Sequence, residues 1–173
     1  HLSILNSFVK RKDWPDLENY LSKMSKSIPS SELKLCENNA IDGVAGHYYH
    51  RYKDLEIPCV FKLELPKELS VSEIDICLVL SNLLENALEA SMRTAPDKRR
   101  ITVFARMHSD NVVLIKVENF YNGVVKEKNG IFESSKHSGE GIGTQSVRRI
   151  AEKGGGYCRF TQKDGIFTAD VML

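Results

Sequence analysis

The chain has 173 residues, 42% of them hydrophobic and 27% charged. That is the balance of one soluble globular domain with at most a small accessory, and not of a disordered, collagen-like or low-complexity chain. Lys and Arg number 24 against 23 Asp and Glu, a net charge of +1, which argues against a broadly basic nucleic-acid face. No apolar run is long enough to span a membrane, no secretory signal opens the chain, and Cys36, Cys59, Cys77 and Cys158 stand far apart, so a cytoplasmic domain with buried thiols is expected.

The first 56 residues read as helical. Leu2, Leu5, Phe8 and Val9 repeat at helical spacing, and Leu17, Tyr20, Leu21 and Met24 continue the pattern after Pro15, which either kinks that helix or opens a second one. A further helix runs from about Asn39 to Leu55, with Ile41, Val44, Ala45, Tyr48, Tyr49 and Tyr52 on its apolar side. Such helices cannot bury both faces alone, so they form a hairpin, a dimer bundle or a helical extension of the main domain. From Pro58 the texture changes. Cys59 to Leu65 alternates like a strand, and Ile74 to Ser91 is a long helix free of Gly and Pro, with Ser70 or Ser72 as its N-cap. Ile101 to Met107 and Val112 to Val117 are strands about a turn at Ser109-Asp110-Asn111. Residues 120–140 have little apolar periodicity, a helix runs from about Thr144 to Lys153, and Asp164-Gly165 joins two final strands, Tyr157–Gln162 and Ile166–Leu173. Strands and helices do not alternate one for one. An α+β domain is expected, with an antiparallel or mixed sheet and helices on one face.

Three segments carry chemistry. On the helix Ile74–Ser91 the polar residues Asn82, Glu85, Asn86 and Glu89 fall at i, i+3, i+4 and i+7, one narrow stripe on an otherwise apolar helix. Amide carbonyls and carboxylates are hard ligands suited to Mg²⁺ beside phosphate, although a solvent-facing stripe has the same spacing. Gly139-Glu140-Gly141-Ile142-Gly143-Thr144 leads straight into a helix, where close backbone approach and free N–H groups suit an anion. The spacing is neither the dinucleotide fingerprint nor a P-loop, and a flexible capping loop is the plain alternative. The stretch 120–138 carries Gly123, Gly130, Lys126, Lys128, Lys136 and Phe132, as a lid over an anionic ligand or as a surface loop.

Asn-Leu-Leu-Glu-Asn-Ala (82–87), followed some fifty residues later by Gly-Glu-Gly-Ile-Gly-Thr (139–144), resembles the N-box and second glycine box of the GHKL ATP-binding fold. That superfamily includes gyrase, MutL and the sensor histidine kinases. Ser134-Ser135-Lys136 before the glycines, and Cys36-Glu37-Asn38, look most like the Agr-type quorum-sensing kinases. The resemblance implies a two-layer α/β sandwich over 57–173, the catalytic ATP-binding domain, preceded by a partial dimerisation and phosphoacceptor segment over 1–56.

It further implies that Asn86 holds Mg²⁺, that Asn82 lines the phosphate site, and that Gly139, Gly141, Ile142, Gly143 and Thr144 face the phosphates with Lys136 reaching in from the lid. Where the family places an adenine-binding Asp, this chain has Asn119, whose amide can still accept from the amino group and donate to a ring nitrogen. The hydrolases of the superfamily carry a Glu four residues before the Mg²⁺ Asn. Here that position is Asn82, a poor base, so phosphoryl transfer to a histidine and then to a response regulator is expected rather than fast hydrolysis. The related kinases have an acceptor His about five positions before a His-Leu pair. His1-Leu2 matches that pair, which puts the acceptor ahead of this chain, with His1 as the candidate within it. His47 and His50, one turn apart, read as a polar helix face. The implied parent is a membrane-anchored sensor that dimerises through its N-terminal helices. A GHKL module that binds nucleotide and a protein partner without kinase activity is the second reading.

Overall fold

A computed structural model describes residues 10–12, 14–16, 33–122, 127–128, 131–132 and 142–173. The chain divides into two compact units, His1–Leu33 and Lys34–Leu173. In the first, residues 10–11 and 14–16 are helical, and Pro15 lies within the second of these stretches. The apolar repeats expected around them lie outside the described residues.

The second unit lays helices on one face of a sheet. Its elements in chain order are α1 (Asn39–Asp54), β1 (Cys59–Glu64), α2 (Glu73–Met92), β2 (Ile101–Ser109), β3 (Val112–Phe120), a short ladder of β4 (Glu127–Lys128) and β5 (Ile131–Phe132), α3 (Ile142–Lys153), β6 (Tyr157–Lys163) and β7 (Ile166–Met172). The main sheet has five strands in the order β1-β2-β3-β7-β6. β1 pairs parallel with β2, in register Cys59 to Ile101, and α2 is the crossover between them; the other pairings of the main sheet are antiparallel. Alternation sends Ile101, Val103, Ala105, Val113, Ile115, Val117, Ala169 and Val171 into the core beneath the helices. On the opposite face Lys116 pairs with Glu118 at 2.6 Å and Arg159 with Asp170 at 3.7 Å.

One expected boundary moves. The helix Asn39–Asp54, assigned from sequence to the N-terminal segment 1–56, belongs to the second unit, which begins at Lys34. The physical reason is its apolar stripe: Ile41, Ala45, Tyr48 and Tyr52 are buried in the same core as α2 and the sheet. Tyr52 donates its hydroxyl to the Leu84 carbonyl at 2.8 Å. The start of α1 is laced to α2 by Asn38, whose Oδ1 accepts from Ala40 and Ile41 N–H at 3.1 Å while its Nδ2 donates to Glu73 at 2.7 Å. This apolar face is therefore not available for a dimer bundle.

Two local turns shape the C-terminal part of the fold. At its C-terminus Gly155 takes the left-handed conformation (φ 77°). The N–H of Gly156 reaches the Ala151 carbonyl at 2.9 Å and that of Gly155 reaches Glu152 at 3.1 Å, a Schellman cap. The next hairpin turns through Asp164 and Gly165, both at positive φ (52° and 77°), which returns β7 antiparallel to β6.

Candidate functional site

α2 runs through the middle of the helical layer, between α1 and α3 and above β3. Ser72 caps it, accepting from the Asp75 N–H at 3.3 Å, whereas Ser70 donates to the Asp110 carbonyl. Ile76, Val79, Leu80, Leu83, Leu84, Ala87, Leu88 and Ser91 are buried on the core side, which turns the polar stripe away from it.

The four stripe residues separate into two pairs. Glu85 accepts from Arg51 on α1 at 2.7 Å, and Glu89 stands 3.9 Å from Arg93 one turn on. The two amides face α3. Asn82 donates Nδ2 to the Leu78 carbonyl at 2.7 Å, which fixes the rotamer and aims Oδ1 at Gly143. A Cβ built on Gly143 would lie 3.2 Å from Asn82 Oδ1, 3.3 Å from Asn86 Nδ2 and 3.4 Å from Asn86 Oδ1. The absence of a side chain at Gly143 lets the first turn of α3 come this close to both amides without either having to give way.

That first turn carries N–H groups with no partner inside the helix, and the helix dipole adds positive potential there. Thr144 is half-buried beside Gly143, and Ile142 is the first residue of α3. The meeting of two amide oxygens with a helix start suits phosphate and a hard cation together, so the residues present fit an anionic ligand with Mg²⁺. His1, Lys136, Gly139 and Gly141, also expected at or near the site, lie outside the described residues.

Asn119 lies within β3, which runs three residues beyond the expected Val117. It pairs in register with Ile101 and Phe167, points to the helical side and is only 4% exposed. Its Nδ2 donates to the Phe120 carbonyl at 3.0 Å. Thr94, just past the end of α2, donates to the Ala90 carbonyl at 2.9 Å and lies 3.4 Å from that same Phe120 carbonyl. Asn119 is thus held at the end of the sheet where α2 finishes. The opposite end, at the β2–β3 turn, borders an open groove lined by Leu69, Ser70, Met107 and His108, away from the expected residues.

Arg51, Ser91 and Thr94 stand outside the sequence motifs. Arg51 pairs with a residue 34 positions away, which no local spacing encodes. Ser91 had one visible signal, a hydroxyl on the buried side of an apolar helix. None of the four thiols is in a disulfide. Burial pushes each of them above its ordinary value, so they stay protonated and poorly nucleophilic. Among the described residues no group of three or more His, Cys, Asp or Glu can hold a metal ion, and no helix is long and apolar enough to cross a membrane.

The sequence profile of the GHKL domain matches residues 71–173. No curated protein gives a significant match. Among solved structures, the catalytic domain of the histidine kinase ThkA superposes with a TM-score of 0.59 at 21% identity, covering 78% of this chain and 90% of that one. The mycobacterial sensor histidine kinase MprB gives 0.54 at 17% identity, over 78% and 92%. The histidine kinase domain of the blue-light activated kinase of Erythrobacter litoralis gives 0.55 at 15% identity, over 77% and 62%. At these identities the likeness is one of fold, the α/β fold of histidine kinase catalytic domains. With the profile spanning more than half of its residues, this chain belongs to the GHKL domain family.

Proposed function

We propose that the chain binds Mg-ATP and is the catalytic core of a two-component sensor histidine kinase, passing the γ-phosphoryl group to a histidine and from there to a response regulator. The observation that carries this reading is the approach of Gly143 to Asn82 and Asn86, which puts a helix start against two side-chain amides. Asn86 is the residue to hold Mg²⁺, which when bound neutralises charge on the triphosphate. Asn82, Gly143 and Thr144 line the phosphates, with Lys136, Gly139, Gly141 and Ile142 completing the cradle, and Asn119 takes the adenine. Asn82 has given one N–H to Leu78 and has no basic atom to activate water. The site therefore positions a phosphoryl donor and leaves the acceptor to another segment, His1 or a histidine ahead of it.

Dimerisation falls to residues before Lys34, since the apolar face of α1 is buried within its own unit. The parent protein is a membrane-anchored sensor with this domain in the cytoplasm. A second reading, a regulatory module that binds nucleotide without transferring phosphate, draws support from Asn119, a neutral amide partly committed to Phe120. The test has two stages. Mg-ATP at about 100 times its dissociation constant should add about 2.7 kcal/mol to stability, which a thermal melt reads directly. A version extended N-terminally should then form acid-labile phosphohistidine; nucleotide binding without it would select the regulatory module, and no binding would refute both.

A further inference from the structure

Ser91, the penultimate residue of α2, is wholly buried, and its Oγ has no hydrogen-bond partner among the described residues. Hydroxyls on helices commonly return to a carbonyl of the preceding turn. Two other hydroxyls do so: Ser81, earlier on α2, donates to Leu78 at 3.1 Å and Thr94, just past its end, to Ala90 at 2.9 Å. Ser91 does not, although alanine would fill the position without desolvating a hydroxyl. An orphaned buried polar atom of this kind marks a place where a water, an ion or a ligand supplies the missing partner.

Its position says which partner. Ser91 continues the core-facing series Leu84, Ala87, Leu88, so it points toward the sheet, and Thr94, one turn further, approaches the Phe120 carbonyl. Asn119 Nδ2 donates to that carbonyl from the helical side of β3. Ser91 and Asn119 therefore face the same layer between α2 and β3, at the same end. Ser91 lies five residues beyond Asn86, about 7.5 Å along the helix axis, away from Gly143 and the start of α3. Ser91 and Asn119 are neutral groups that can each donate and accept, which suits the edge of a heterocycle and not a phosphate.

We propose that Ser91 is a base-reading residue, its hydroxyl acting with Asn119 on the edge of the purine of the bound nucleotide, directly or through one ordered water. The inference rests on the nucleotide reading above. The hydroxyl gains its partner only when nucleotide is bound, and its removal takes nothing from the unliganded fold.

The test is isothermal titration of the wild-type chain and of Ser91→Ala with Mg-ATP and, separately, with Mg-tripolyphosphate, which has no base. Ser91→Ala should bind Mg-ATP about tenfold more weakly, bind Mg-tripolyphosphate as the wild type does, and melt, without ligand, no lower than the wild type. Ser91→Cys, which keeps a γ atom of somewhat larger size and loses a strong donor, should follow Ser91→Ala in its affinity for Mg-ATP. Equal affinity of Ser91→Ala and wild type for Mg-ATP overturns the proposal, as does a parallel loss for tripolyphosphate or a lowered melt, each of which marks a structural role. If the wild type binds neither ligand, it is the nucleotide reading that fails.

Discussion

Gly143 on α3 stands so close to Asn82 on α2 that a methyl group in place of its hydrogen would sit 3.2 Å from Asn82 Oδ1. Asn82 cannot yield easily, because its Nδ2 is tied to the Leu78 carbonyl at 2.7 Å. Gly143→Ala should therefore tilt the first turn of α3 away from the amides by a few tenths of an ångström, or break the Asn82 bond. Helix propensity works the other way, favouring Ala over Gly by up to about 1 kcal/mol. The expected outcome is a melt without ligand that is unchanged or slightly raised, with Mg-ATP affinity lower by about tenfold or more, as one lost charge-assisted contact implies. Calorimetric titration beside a thermal melt reads both quantities.

Asn86 differs from Asn82 in its expected partner, the cation. Asn86→Ala removes a neutral oxygen ligand on the half-exposed stripe, so stability should change by no more than about 0.5 kcal/mol. Wild-type affinity for ATP should fall when Mg²⁺ is chelated, whereas that of Asn86→Ala should be weak and indifferent to chelation. Unaltered Mg²⁺ dependence in the variant would remove Asn86 from the metal assignment.

The stripe also shows what a sequence can and cannot give. Its spacing placed Asn82, Glu85, Asn86 and Glu89 on one face, and α2 has that face, with Ser72 as the cap. The four residues looked equivalent because their partners were invisible. Arg51 takes Glu85 from another helix and Arg93 takes Glu89, which leaves the two amides to meet Gly143. Periodicity likewise showed that Ile41, Ala45, Tyr48 and Tyr52 need a surface to cover, but not whether a second copy or their own sheet supplies it. The Tyr52 hydroxyl on the Leu84 carbonyl answers that question. Parallel pairing of β1 with β2 was equally hidden, since alternation marks a strand's faces and not its neighbour. The Asp164-Gly165 hairpin was legible because its turn needs positive φ at both residues.

Gly156 is demanded by packing, not by the site. A Cβ there would fall 1.9 Å from the Met172 carbonyl oxygen, which is backbone of β7 and cannot rotate aside. Gly156→Ala must push the end of α3 away from the sheet and strain the Schellman cap. A loss of about 3 kcal/mol in urea denaturation is expected, at the upper end for overpacking. Gly155 is different: its Cβ would meet open space, and the penalty is the left-handed φ of 77° alone. Gly155→Asn should therefore be tolerated better than Gly155→Val.

Alkaline pH should unfasten α1 from α2. Burial, reinforced by the charge of nearby Glu85, pushes the Tyr48 phenol up to about 12, and burial pushes Tyr52 up as well. In the unfolded chain both phenols ionise near 10. Above that pH the unfolded state releases protons that the folded state keeps, so unfolding becomes easier as pH rises. The stabilisation is complete below about pH 10; the Tyr48 share is lost toward pH 12 and the Tyr52 share at still higher pH, with a limiting slope of about 1.4 kcal/mol per pH unit for each phenol. The buried Cys36 thiol and the half-buried Cys59, Cys77 and Cys158 act in the same direction from about pH 9. Denaturation curves at stepped pH should show stability falling from about pH 9 and steepening above about pH 10. Tyr48→Phe combined with Tyr52→Phe gives up the Leu84 hydrogen bond, about 1 kcal/mol at neutral pH, but should remove the steepening and leave only the thiol-linked decline. If the double variant keeps the wild-type slope above pH 10, the loss comes from groups other than this tyrosine pair.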